Sequence, residues 1–135
     1  MPRSLKTARR AGVAMESRTV DYLRWALDDD RIERRHLAGS KDRGDIAGVR
    51  FLGHRVVVEC KNTAQMNVSQ HLREAEIERG NDDALIGVVV QKRPGIGIDS
   101  RDGQSRQLVL MTLESFALML NDGLPLGPDE EETTC

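Results

Sequence analysis

Arg55-Val56-Val57-Val58-Glu59-Cys60-Lys61 decides how this chain folds. Three valines in succession favour extended backbone, and alternation puts Val56, Val58 and Cys60 on one face and Val57, Glu59 and Lys61 on the other. A second run, Ala84–Val90, is apolar throughout, the pattern of a central strand covered on both faces. Upstream, Asp45–Leu52 reads as a partner strand joined to Arg55–Cys60 by a tight Gly53-His54 hairpin connection. Ile32–Leu37 and Gln107–Met111 are further strand candidates.

Helices are expected around these strands. Thr7–Leu27 carries Val13, Val20, Leu23 and Leu27 at helical spacing. Asn67, with Gln70 three residues on, has the form of a capping box for a helix to about Arg79, stopped at Gly80-Asn81. Thr112 is placed to cap a short helix through Leu120. The expected fold is α/β: a mixed sheet of about five strands with helices on both faces.

The 135 residues suit one domain, expected over 1–120, followed by an acidic and mobile tail over 121–135. That tail holds Asp122, Asp129, Glu130, Glu131 and Glu132 and no base, leaving 20 bases against 17 acids elsewhere. Sixteen of the bases are arginine, which suits bidentate phosphate contact without requiring it. No apolar stretch approaches the ~20 residues of a membrane span, so no membrane partner is expected. Met1–Arg10 is basic with no apolar run after it, unlike a secretory signal. Cys60 and Cys135 cannot form a disulfide framework, which favours a cytoplasmic, intracellular setting.

Charged residues sit where a core would not want them. Glu59 and Lys61 emerge together at the end of an apolar strand, and Asp45 opens the strand paired with it. Carboxylates brought together repel, and a divalent cation is the usual resolution. Glu16 lies three after Val13 and four before Val20, within the apolar face of the first helix. It therefore needs a partner, either a metal shared with Asp45 and Glu59 or an arginine. Taken singly these signals are ordinary: an acid-x-Lys pair on a strand is commonly a solvated ion pair worth roughly 0–1 kcal/mol. Their convergence carries the reading. His36, His54 and His71 match no zinc spacing, with His54 expected in a turn and His71 on a helix surface. Gly95-Ile96-Gly97 lacks the rest of a dinucleotide fingerprint. Two Phe, one Tyr and one Trp supply little base-stacking surface. Tyr22 and Trp25 are expected in the core or an interface.

The segments Ala38-Gly39-Ser40-Lys41, Gly44-Asp45-Ile46 and Val57-Val58-Glu59-Cys60-Lys61, with Arg9-Arg10, Glu16 and Arg18 before them, resemble the PD-(D/E)XK nuclease superfamily. More closely, they resemble its archaeal-type Holliday junction resolvases. The resemblance implies a restriction-endonuclease-like fold and hydrolysis of four-way DNA junctions with Mg²⁺, for which Mn²⁺ can substitute. It implies that Asp45, Glu59 and the backbone carbonyl of Cys60 bind the metal and that Glu16 completes its environment. Lys61 would position or activate the attacking water, and Ser40 would lie near the scissile phosphate. Gly44 stands where the superfamily name implies proline. Cys60 itself points into the core by alternation and is read as packing. Arg9, Arg10, Arg18, Lys41, Arg43, Lys92 and Arg93 flank the site and are the candidate phosphate contacts. A junction with two-fold symmetry is expected to be met by a C2 homodimer. The alternatives are another repair or restriction nuclease of the superfamily, or a non-catalytic DNA-binding module of the same fold.

Overall fold

The computed structural model describes residues 4–35 and 42–128. Helix α1 (Leu5–Leu27) starts at Ser4, whose Oγ accepts from the Thr7 N–H, and ends at Asp28 in the left-handed region. Strands β1 (Glu33–Arg34), β2 (Ile46–Ala47), β3 (Arg50–Phe51) and β4 (His54–Lys61) follow. Helix α2 (Val68–Asn81) leads to β5 (Ile86–Gln91), then α3 (Arg101–Ser105), β6 (Leu108–Leu110) and α4 (Leu113–Leu120). Among the described residues six strands form one mixed sheet, where about five were expected; its path is β1-β2-β4-β5-β6, with β3 also paired to β4.

β4 and β5 are parallel, in register from Val56 opposite Ile86 to Lys61 opposite Gln91, and the other pairs are antiparallel. The α2 crossover between them lies close to the sheet, because a Cβ on Gly87 would stand 2.9 Å from the Ala75 carbonyl oxygen. All six residues of β5 are buried, Ile86–Val90 as their apolar run requires and Gln91 with its side chain bonded to His71. On one side of the sheet Val58, Cys60, Ile86, Val88 and Val90 pack with Met15, Val20, Ile32 and Ile46. Val57, Glu59, Val89 and Gln91 face the other side.

Local expectations are corrected in several places. The line that α1 buries is Met15, Thr19 and Val20, while Val13 and Leu27 are exposed. The strand expected over Asp45–Leu52 is split into β2 and β3 at Gly48-Val49, where Gly48 has φ +89° and a Cβ would strike the Arg31 carbonyl. The hairpin turn is Leu52-Gly53, both at positive φ, and His54 opens β4 opposite Phe51. Asn67 precedes α2 with φ 39° and makes no side-chain cap, so the capping box does not form; Gln70 instead donates to Glu74 at 3.2 Å. Trp25 is not in the core: it is about half exposed, with the Arg101 guanidinium 3.9 Å above its ring.

α4 is capped by Thr112 as expected, its Oγ1 accepting from the Ser115 N–H at 3.1 Å. Only Ser115 of this helix is buried. Leu113, Phe116 and Leu120 share one helical face and point away from the body, 80%, 48% and 72% exposed. Among the described residues, no helix is long and apolar enough to cross a membrane.

Candidate active site

The site forms where β2 enters the sheet beside the far end of β4. Gly44 turns the chain at φ +94°. Asp45 is then locked to the sheet: its N–H donates to the Val58 carbonyl at 2.9 Å, and its own carbonyl accepts from the Arg35 N–H at 2.7 Å. Its Oδ2 accepts from the Cys60 N–H at 2.8 Å, which aims the carboxylate at the end of β4. Glu59 and Lys61 leave β4 on the α2 side, with Lys61 Nζ 3.9 Å from Glu59 and 2.6 Å from Glu74. Asp45, Glu59 and Lys61 are thus brought together, as the strand pattern anticipated.

α2 adds what the sequence reading missed. Glu74 and Glu78 stand one turn apart on the face that meets β4, beside the buried Ala75 and His71. Glu78 and Glu59 are only 5% and 6% exposed, and each has a fully buried Oε2 with no hydrogen-bond partner. With Asp42 they form a group of three carboxylates whose nearest oxygens all lie within 4.8 Å of one another, and this group could hold a metal ion. Burial first, and then the facing carboxylates of Glu78 and Asp45, push the Glu59 carboxyl far above its ordinary value. Burial likewise raises Glu78, with Asp42 and Asp45 adding to it. Burial works against the charge on Lys61, but Glu74 and Glu59 outweigh it, so the ammonium is held above its usual range. Glu74, bonded to Lys61, is held below the usual carboxylate value. The available signal was the recurrence of His71, Glu74 and Glu78 at helical spacing after a strand bearing Glu59.

His71 is not a surface residue. It is buried, with Nδ1 3.0 Å from Gln91 Oε1, and Gln91 also donates to Thr63 Oγ1 at 3.4 Å. The pair fills the space between α2 and β5 immediately beside Lys61.

Glu16 finds the arginine partner its position demanded, with Arg34 at 3.6 Å. Burial raises its carboxyl, the nearby Asp45 raises it further, and Arg34 opposes both. Glu16 therefore approaches Asp45 from the α1 side, whereas Glu59 faces α2. Cys60 lies in the α1-side core as alternation indicated, and burial pushes its thiol well above the ordinary value.

The candidate phosphate contacts scatter around this centre. Arg9 and Arg10 are exposed on the first half of α1, and Arg43 is exposed next to Asp42. Arg18 is ion-paired with Asp99 at 3.3 Å. Lys92 and the exposed Arg93 follow β5 directly, the Lys92 N–H bonding the Lys61 carbonyl at 2.8 Å. Ser40 and Lys41 lie outside the described residues. Comparison with protein-family models, with curated proteins and with solved structures found no match to this chain.

Proposed function

We propose that this chain is a Mg²⁺-dependent, structure-selective endodeoxyribonuclease of restriction-endonuclease-like fold that resolves four-way DNA junctions by phosphodiester hydrolysis. The observation that carries the reading is the placement of Asp45 against the end of β4, beside Glu59 and Lys61, in a centre whose buried carboxylate oxygens lack partners. Unpartnered carboxylate oxygens suit a hard divalent cation, Mg²⁺ or Mn²⁺, which prefers oxygen ligands. Asp45 and Glu59 would hold it, with the Cys60 carbonyl, Glu16, Asp42 and Glu78 around them. When bound, such a cation neutralises charge on a phosphate and makes water a better nucleophile.

The chain's own groups have separable tasks. The Cys60 N–H fixes the Asp45 carboxylate. Lys61, kept protonated by Glu74 and Glu59, serves as a hydrogen-bond donor that orients water or a phosphate oxygen, and not as a base. Arg9, Arg10, Arg18, Arg43, Lys92 and Arg93 supply phosphate contacts that position DNA without reading its sequence.

The test is incubation of the chain with a synthetic four-way junction, a linear duplex of equal length and single-stranded DNA, each with Mg²⁺ or EDTA. Junction cleavage that requires Mg²⁺ and outpaces cleavage of the duplex is the expected result. Equal cutting of junction and duplex would make the chain a general nuclease of the superfamily. Junction binding with no cutting would make it a non-catalytic binding module.

A further inference from the structure

Four arginines, of which only Arg43 is among the phosphate contacts named above, line a single cleft. Arg35, Arg43, Arg50 and Arg55 share a hollow of about 290 Å³, opened by the break between β2 and β3, and among the described residues of its wall Asp82 is the acid. Asp82 pairs with Arg35 at 3.3 Å, yet the Nε of Arg35 is buried without a partner. Arg55 reaches only Asp83, at 4.0 Å and across the protein surface. Arg43 and Arg50 are exposed. Four guanidinium groups with two carboxylates, Asp82 in the wall and Asp83 at 4.0 Å outside it, leave an excess of positive charge that an anion would offset, and the fork of each matches the oxygens of a phosphate.

The position of the cleft says which phosphate. Its wall touches the acidic centre twice, since Arg43 follows Asp42 and the Arg35 N–H bonds the Asp45 carbonyl. Along β4, Arg55 precedes Glu59 by four residues, or ~13 Å at about 3.3 Å per residue. That is close to the ~12 Å width of the DNA major groove. A nucleic-acid strand lying at Glu59 therefore has another stretch of backbone within reach of the arginines.

We propose that the Arg35/Arg43/Arg50/Arg55 cleft binds a phosphodiester group of the nucleic-acid backbone, remote from the bond that is cut. The proposal rests on the nucleic-acid part of the reading above and not on cleavage. Its test uses the full chain in EDTA, with fluorescence anisotropy of a labelled junction and a labelled duplex over a series of chloride concentrations. Arg50→Ala combined with Arg55→Ala should weaken binding of both DNAs at least about 10-fold. It should also flatten the log–log salt slope by roughly 0.9 for each phosphate that is no longer neutralised. Thermal stability should be unchanged, because both side chains are exposed. Arg106→Ala, which removes an exposed arginine paired with Asp102 outside the cleft, should leave affinity and slope as in the unaltered chain. Unaltered binding and slope in the double variant, an equal weakening in Arg106→Ala, or no DNA binding by the unaltered chain would overturn the proposal. Inorganic phosphate, at ionic strength matched with chloride, separates the two sources of the anion. Competition between phosphate and DNA supports the backbone assignment, whereas tight phosphate binding that DNA does not displace assigns the cleft to a free anion and overturns it. A chain that binds DNA through these arginines but never cuts it removes the nuclease reading alone.

Discussion

Gly44 shows how one residue can set a site. Its φ of +94° is open to glycine, and a Cβ there would stand 2.8 Å from Val57 Cγ1. Proline is locked near −65° and cannot take this turn. Gly44→Ala should cost about 1–3 kcal/mol, read as a lower melting temperature, and should shift Asp45 off the Cys60 N–H. Asp45→Asn and Glu59→Gln should each abolish Mg²⁺-dependent cleavage while junction binding, measured by gel shift, stays near that of the unaltered chain. The reason is that an amide loses affinity for a hard cation, whereas the proposed phosphate contacts come from arginines elsewhere. Cleavage at the unaltered rate in either variant would remove these residues from the reaction. At this scale the strand pattern made Glu59 and Lys61 legible, but not the hydrogen bond between Asp45 and the Cys60 N–H. That bond depends on how far β2 slides along β4.

α2 is the element on which the sequence reading fell shortest. Its glutamates look like solvated helix charges, and its His71 like a surface residue, until the β4-α2-β5 crossover lays that face on the sheet. The consequence is a testable pH dependence. The Glu59 and Glu78 pKa values are raised in the folded chain. Their contribution to stability is therefore fully present below the ordinary glutamate value of 4.5. It is lost as pH rises through the raised values. Metal-free protein should thus lose melting temperature from mildly acidic to alkaline pH, and Mg²⁺ should restore it most at the alkaline end. Glu78→Gln should flatten this profile, stabilising the metal-free chain above neutrality by about 2 kcal/mol and reducing the gain from Mg²⁺. A profile identical to that of the unaltered chain, followed by thermal denaturation with EDTA or Mg²⁺, would show that Glu78 is not part of the charged centre.

At the scale of the whole molecule, the outward apolar face of α4 bears on the homodimer expected for a two-fold substrate. Leu113, Phe116 and Leu120 are flanked by Leu124 and Leu126, both exposed. The stripe carries no charge. A stable dimer buries about 800 Å² per partner around an apolar centre, and a second copy presenting the same stripe meets that need. Sedimentation equilibrium should give twice the 15.1 kDa chain mass. Phe116→Glu with Leu120→Glu should weaken the dimer by about 2 kcal/mol or more without lowering monomer stability. Leu52→Glu, equally exposed but in the β3–β4 turn, should leave the dimer intact.

The α/β layering, the buried β5, the Thr112 cap of α4 and the pairing of Asp45 with the Glu59-x-Lys61 strand were legible in the sequence. These follow from period-two and helical patterns and from local side-chain caps, which act over a few residues. The closing of Glu78 and Asp42 on Glu59, the pairing of Glu16 with Arg34 and the gathering of four arginines into one cleft come from tertiary packing. Each of those meetings joins residues far apart in the chain. It is set by sheet register, by the close seating of α2 over Gly87 and by the break at Gly48, where backbone sterics over long range replace local pattern.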